Sequence, residues 1–276
     1  MIVRSRVYCN VLVYRLGRDG RKELVRRAHN AVLSTGLNML RDAMLGNEFR
    51  LEAIGVGSSG TAVVPSQTWG QTPLLCSEVT TKYVNGVRFR AVQQINEDEL
   101  NGHTIREVWI APATAGNAFA RVVIDDLDKT ADFAYIFQFD VVFGGTNSRL
   151  GCLMFAQLAN SEGAYTIKLT ALLCGQGTVS ESVADTGLAD PWTMTPLPLA
   201  STASADGQLT LYYTIAPDQY NGSTLAEAGV YFDTNTGTPP VSVPALFARG
   251  LITPGPYEIE VGKGAQVVAI MRWESA

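Results

Sequence analysis

The chain has 276 residues, of which 46% are hydrophobic and 17% charged, and its formal net charge at pH 7 is −5. This composition excludes a disordered chain, because it supplies enough apolar surface for packed cores and too little charge to keep the chain solvated. The length favours two cores over one. No apolar run reaches 18 residues and none follows a basic start, so we expect neither a membrane span nor a secretory signal.

The first segment alternates apolar and polar residues. Val7, Cys9, Val11 and Val13 recur at every second position, which predicts a strand, and residues 17–20 (Gly-Arg-Asp-Gly) predict a turn into a second strand near residues 23–27. The chain is therefore expected to open with a β-hairpin, which we expect to dock on another subunit and to lie outside the core of the first half.

This hairpin is strongly basic. Residues 1–50 contain ten Lys and Arg against four Asp and Glu, an excess of six positive charges, so the remainder of the chain carries −11. We interpret the basic residues as a docking surface for an acidic protein neighbour or for the chain's own acidic body. Nucleic acid is less favoured, because the whole chain has a pI of about 5.1. The predicted partner-docking residues are Arg4, Arg6, Arg15, Arg18, Arg21, Lys22, Arg26 and Arg27.

One helix follows the hairpin, because apolar residues recur at helical spacing from Leu33 to Leu45. Ser34 or Thr35 is the candidate N-cap and Gly46 the stop signal. From residue 51 onward, short apolar or alternating runs are separated by Gly, Pro, Asn and Thr. That spacing is typical of an all-β sandwich or jelly roll.

Two blocks of sequence repeat. Residues 98–107 precede Phe-Ala-Arg at 119–121, and the similar residues 218–227 precede Phe-Ala-Arg at 247–249. We therefore predict two tandem homologous β-sandwich domains, residues 1–146 with the hairpin and helix, and residues 147–276 without the helix. The Asn-Gly pair in each block predicts a type I′ turn that joins two antiparallel strands.

The stretch from Asn30 to Pro65 carries a resemblance. Its short helix ends in Gly, and the next predicted strand ends Ile54-Gly55-Val56-Gly57 before a Pro-containing loop. Together with Phe119-Ala120-Arg121, this stretch resembles structural proteins of tailed phages, including tail-fibre, collar and decoration-like components. The resemblance implies a virion protein made in the host cytoplasm, docking on tail, neck or capsid and bracing or presenting another component. It also implies several copies per particle, as a homo-oligomer or ring, and no catalytic residues.

The sequence gives only weak signals for a dinucleotide site, a metal site or a catalytic nucleophile. Residues 55–60 match Gly-x-Gly-x-x-Gly, but prolines follow where a dinucleotide site needs a helix. The acidic cluster of residues 125–132 lacks the Gly and terminal Glu of a calcium loop. Two histidines and four cysteines show no zinc or nucleophile spacing, so we expect buried free thiols, no metal, no cofactor and no enzyme activity. The thiols in question are Cys9, Cys76, Cys152 and Cys174, and the histidines are His29 and His103.

The alternative function is a glycan-binding β-sandwich that recognises a host surface. Four tryptophans could stack on sugars, although aromatic residues are more often core or interface anchors. They are Trp69, Trp109, Trp192 and Trp273.

Overall fold

The computed structural model describes residues 2–145, 155–156, 158–160, 166–179, 184–185, 187–191, 196–217, 219–235, 245–252 and 255–275. Strands predominate, which confirms the predicted all-β class. The first half contains β1 (Ile2–Gly17), β2 (Lys22–Val32), α1 (Ser34–Ala43), β3 (Ala53–Gly57), β4 (Pro73–Glu78), β5 (Thr81–Asn85), β6 (Arg88–Ile95), β7 (Thr104–Ala111), β8 (Ala120–Asp128) and β9 (Phe133–Gly145). The second contains β10 (Thr166–Gly175), β11 (Leu197–Ala205), β12 (Gln208–Ile215), β13 (Thr224–Leu225), β14 (Glu227–Asn235), β15 (Ala245–Leu251), β16 (Tyr257–Glu258) and β17 (Ala265–Ser275).

The predicted hairpin is confirmed, and both of its strands are longer than the sequence pattern indicated. Its alternating apolar side chains are buried in the main core, with Val11 and Val13 fully enclosed. The expectation that the hairpin lies outside the core of the first half is therefore wrong. An isolated hairpin is marginal in water, and here β9 pairs with the whole length of β1 from Ser5 to Gly17.

The predicted helix is confirmed as α1, but its predicted cap is not. Leu33 is the N-cap and makes no side-chain cap bond, while the Thr35 hydroxyl donates instead to the Ala118 carbonyl. Gly46, at a φ of +94°, follows the helix in a conformation that favours glycine. The expectation that the second half lacks a helix is wrong, since residues 155–156 and 158–160 are helical. In the described ranges, no helix has the length and apolar character needed to cross a membrane.

One hydrogen-bonded sheet passes through both halves of the chain, where two separate sandwiches were expected. Its central path runs β5-β6-β9-β1-β17-β12-β11, and β1 is the strand at the junction. β1 pairs antiparallel with β9 and, through residues 2–7, parallel with β17. A second layer, with β4-β3-β7-β8 in the first half and β10-β14-β15 in the second, faces this path.

The core between these layers is continuous. One cluster of buried apolar side chains includes Val11 and Phe139 from the first half and Leu211 and Met271 from the second. Backbone bonds also cross between the halves: Leu51 donates to Ala159, and Leu169 donates to Met44.

The two halves have equivalent strand registers. Four pairs of facing residues on neighbouring strands of the first half have equivalents in the second. Gly57–Glu107 corresponds to Gly175–Glu227, and Trp109–Arg121 corresponds to Gly229–Arg249. Arg88–Val142 corresponds to Gln208–Arg272, and Ile54–Ser77 corresponds to Leu172–Leu197. These registers agree with the predicted duplication, which stays a prediction together with its boundary. Residues 146 and 147, where the boundary was placed, lie outside the described ranges.

The prediction for the Asn-Gly pairs is wrong. Positive φ falls on Leu100 and Gly102 in the first block and on Tyr220 and Gly222 in the second, whereas a type I′ turn needs it at both Asn and Gly. The strands that flank each turn are not paired with each other: β6 pairs with β5 and β9, and β7 pairs with β3 and β8. The turn therefore carries the chain from one layer to the other.

Candidate docking surface

The eight basic residues predicted to dock a partner do not form one surface. Arg4, Arg6 and Arg27 are exposed on the side of the sheet turned away from the core. Arg18 and Arg21 lie in and beside the hairpin turn. The remaining three, Arg15, Lys22 and Arg26, contact other parts of the hairpin and its neighbours.

The contacts of these three residues are within the chain. Arg15 pairs with Glu23 at 2.5 Å and lies over the ring of Phe133, and the ammonium of Lys22 lies 3.9 Å from the Tyr14 ring centroid. The Arg26 guanidinium donates to the backbone carbonyls of Asp125 and Asp126, at 3.4 and 2.6 Å. Three of the eight predicted docking residues thus make contacts within the hairpin or to the backbone of β8 and to β9.

A larger basic surface lies on the side of the sheet turned away from the core, which we call the outer face. Side chains of β6, β9, β1 and β17 alternate strictly between core and outer face, so every second residue is brought to this surface. Its arginines are Arg4, Arg6, Arg27, Arg88, Arg90 and Arg272, and its carboxylates are Asp140 and Glu274. Six cations against two anions make this face basic in a chain that is acidic overall.

Three of these arginines, at positions 88, 90 and 272, were missed by the sequence analysis. A signal for two of them is present in the sequence Arg88-Phe89-Arg90-Ala91, where arginine alternates with apolar residues that are fully buried. That alternation predicts basic residues on the solvent side of a strand. What the sequence does not show is that β6 and β17 lie on either side of the β9–β1 pair and so add their arginines to those of β1.

Asp140 holds the centre of the outer face in place. Its carboxylate is only 5% exposed and accepts a bidentate pair from Arg90, with Nε at 2.5 Å and Nη2 at 2.7 Å. Arg88 lies 3.7 Å away on the same carboxylate, and Arg90 also donates to the Tyr83 hydroxyl. The hydrogen bonds to Asp140 raise the pKa of the Arg90 guanidinium above its usual value, so that charge is fixed in position and sign.

Two tyrosines are exposed among these charges. Tyr8 is 40% exposed and Tyr83 44% exposed, and Tyr8 lies opposite Val142 in the β1–β9 pair. Tyrosine and arginine are the residue types most enriched at the energetic centres of protein interfaces. The outer face therefore has the composition of a docking surface.

A buried ion pair holds a long loop in the first half. The Arg121 Nε donates to Glu107 Oε2 at 2.6 Å, and both side chains are 0% exposed. Glu107 also accepts the backbone N–H groups of Gln71 and Thr72, and Arg121 donates to the Thr61 carbonyl. The pair therefore fixes both ends of the segment between β3 and β4.

The second half contains the same arrangement. Arg249 Nε donates to Glu227 Oε2 at 2.6 Å, and Glu227 accepts the N–H groups of Ala189 and Asp190. Arg249 also donates to the Val179 carbonyl and, unlike Arg121, forms a second ion pair, with Asp185 at 2.9 Å. Burial opposes ionisation of Glu227, but the Asp190 N–H and Arg249 outweigh it and lower the pKa of Glu227. Each of the two buried glutamates therefore binds a loop.

The Gly-x-Gly-x-x-Gly match is a packing feature. A Cβ on Gly55 would lie 2.1 Å from the Trp109 ring, and one on Gly57 would lie 2.3 Å from Glu107 Oε1. The two glycines thus make room for the tryptophan and for the ion pair. A loop follows this segment until β4 begins at Pro73, whereas a dinucleotide site needs a helix to open at the third glycine.

The cysteine and histidine candidates are not brought together. Cys9 points into the core, whereas His29 pairs with Asn10 and lies on the opposite face of the hairpin. Burial raises the pKa of the Cys9 thiol, and it raises the pKa of the Cys174 thiol to about 12. Cys152 lies outside the described residues. Among the described residues, no group of three His, Cys, Asp or Glu side chains is placed to hold a metal ion.

The tryptophans predicted as possible sugar platforms are largely enclosed. Trp109 and Trp273 are 0% and 3% exposed, and Trp69 is half-buried against Trp109 with ring centroids 5.5 Å apart. Trp192 lies outside the described residues. A polar cleft of about 730 Å³ lies between Arg50, Lys82 and Thr114, and none of its ten lining residues is aromatic.

Comparison with known protein families, curated proteins and solved structures found no match to this chain.

Proposed function

We propose that this protein is a structural component of a tailed-phage virion, and that its outer face docks on an acidic surface of another virion protein. The phage setting rests on the resemblance of residues 30–65 and 119–121 to structural proteins of tailed phages. The docking role rests on the outer face itself.

The observation that carries the proposal is the concentration of arginine on one side of a sheet. Arg4 and Arg272 lie directly opposite each other in the β1–β17 pair, and Arg6 is the next residue of β1 on the same face. An acidic partner surface would complement this concentration of positive charge. Charges at the rim of an interface mainly set the association rate and the choice of partner.

The second part of the proposal is that the chain braces or presents a neighbouring component. The Glu107–Arg121 and Glu227–Arg249 pairs fix loops that begin after β3 and β10. Segments tied down at several backbone groups lose little further entropy when a partner binds them, which favours affinity. Loops held in this way suit a protein that keeps neighbours in fixed positions.

The test is incorporation of variants into particles. The double variant Arg6→Glu/Arg88→Gln lowers the net charge of the outer face by three and leaves the Arg90–Asp140 pair intact. The double variant Arg50→Glu/Lys263→Gln is the matched control, because it makes the same change in net charge away from that face. Both purified proteins should melt within a few degrees of the wild type, since all four side chains are exposed or half-exposed.

We expect the outer-face variant to be depleted from purified particles by about tenfold or more, measured by quantitative mass spectrometry, and the control to be incorporated as the wild type is. Equal incorporation of the two variants would show that the outer face is not the docking surface. A cryo-electron-microscopy map of wild-type particles without density for this chain would refute the virion assignment itself.

A further inference from the structure

We propose that copies of this chain associate head to tail, the outer face of one copy binding the acidic end of the next. The acidic end is the set of carboxylates around the β6–β7 and β8–β9 connections: Glu97, Asp98, Glu99, Asp125, Asp126, Asp128 and Asp132. This inference rests on the docking role of the outer face and names its partner as a second copy.

The acidic end keeps a surplus of negative charge. Lys129 is 1% exposed, and its ammonium group donates three hydrogen bonds, to the Glu97 carbonyl, the Asn101 side chain and the Thr130 carbonyl. Arg106 forms a bidentate ion pair with Asp126. The carboxylates of Asp98 and Asp132 are exposed, and no ion pair to either occurs within the described ranges. These two side chains are therefore available to an incoming cation.

The neighbouring hairpin offsets only part of this negative charge. Gly17 pairs with Phe133, so the turn lies beside Asp132. Its cations are partly used within the turn, since Arg15 pairs with Glu23 and Arg21 with Asp19.

The two charged surfaces cannot neutralise each other within one molecule. Along β9, Phe133 marks the acidic end, and Val142, opposite both Arg88 and Tyr8, marks the centre of the outer-face arginines. Nine residues of extended strand span about 30 Å, and the screening length at physiological salt is about 8 Å. Attraction between the two surfaces therefore requires a second copy.

Charge balance also favours a copy of this chain as the occupant. The six arginines of the outer face and the seven carboxylates of the acidic end give each molecule both partners of the contact. A contact between two different surfaces of the same chain is heterologous, and it produces a ring when the rotation closes and a filament when it does not.

The experiment is sedimentation velocity of the full chain at low salt, about 50 mM, and high salt, about 500 mM. We expect the wild type to form dimers and larger species at low salt and to dissociate at high salt, with a fall of about tenfold or more in the association constant. Arg6→Glu/Arg88→Gln and Asp98→Lys/Asp132→Lys should each be monomeric alone. Asp98→Asn/Asp132→Asn serves as the milder acidic-end variant if the lysines impair folding.

The decisive measurement mixes the two non-associating variants. Each retains one intact surface, so a head-to-tail contact predicts a complex that stops at one copy of each. A wild type that is monomeric at low salt, or variants that associate as the wild type does, would overturn the proposal. DNA binding by the wild type that the outer-face variant loses, without self-association, would assign the face to nucleic acid instead. Loss of outer-face but not acidic-end variants from particles would refute self-association while leaving the docking function in place.

Discussion

The two buried ion pairs give an internal comparison of what a single charge contributes to this fold. Replacing Glu107 by Gln leaves the Arg121 guanidinium, which is 0% exposed, without any carboxylate partner. Removing one member of a buried pair typically costs about 3–5 kcal/mol, because the remaining charge stays out of water. We expect Glu107→Gln to fall in that range.

The equivalent change in the second half should cost less. Arg249 keeps the carboxylate of Asp185 at 2.9 Å when Glu227 is replaced by Gln, whereas Arg121 has only the neutral Gln67 in that place. The loss is then nearer that of one charged hydrogen bond, about 1–3 kcal/mol. Glu107→Gln is therefore expected to be the more destabilising of the two, because Arg249 has a second carboxylate partner and Arg121 does not.

Urea unfolding at neutral pH and differential scanning calorimetry measure both variants. With about 2–4 °C lost per kcal/mol in a chain of this size, Glu107→Gln should lower Tm by about 10 °C. Asp126→Asn, which removes an exposed partner of Arg106, is the control and should change Tm little. The reasoning is refuted if Glu107→Gln is no worse than the control, or if Glu227→Gln is the more damaging of the two.

Three further predictions follow from burial and close packing. Because the pKa of Glu227 is lowered on folding, its stabilisation is present above the ordinary value of 4.5 and is lost as pH falls through the lowered value. Acid unfolding monitored by tryptophan fluorescence should therefore be less steep in Glu227→Gln, and an unchanged profile would contradict this. Because Cys9 and Cys174 are buried and burial raises the pKa of both thiols, neither should react with iodoacetamide at pH 8 until urea unfolds the chain. Peptide mass spectrometry measures the labelling, and labelling of either cysteine in the native protein would show that it is not buried. Gly55→Ala places a methyl group 2.1 Å from the Trp109 ring and should cost about 1–3 kcal/mol in urea unfolding, so a neutral effect would mean that the ring moves freely.

The strands of the hairpin and the helix could be predicted from the sequence because they depend on local periodicity. Val7 to Val13 alternate over one strand, and the apolar residues between Leu33 and Leu45 repeat at the spacing of one helix face. The helical residues 155–156 and 158–160 were missed because the segment is too short for a periodic apolar pattern to distinguish a helix from a strand.

The assembly of the sheet could not be predicted in the same way. The parallel pairing of residues 2–7 with β17 joins segments more than 260 residues apart, and neither segment has a sequence feature that identifies its partner strand. Arg4 and Arg6, two of the predicted docking residues, lie on the outer face. Arg272 joins them only through the β1–β17 pairing, and Arg88 joins them only through the pairing of β6 with β9. The type I′ interpretation failed because an Asn-Gly pair signals a reversal of the chain without saying which strands it separates.

The place of β1 has a consequence for synthesis on the ribosome. Its residues 2–7 are made well before their partner β17, which ends at Ser275. At about 5–20 residues per second, the first strand waits some 15–50 s for that partner. Until then the edge of β1 that β17 will occupy has unpaired N–H and C=O groups along residues 2–7, while β9, once made, pairs with the opposite edge from Ser5 onward. Arg4 and Arg6 lie on this unpaired strand. Their positive charges repel the same arginines on neighbouring nascent chains, which opposes premature pairing of β1 with β1 of another chain.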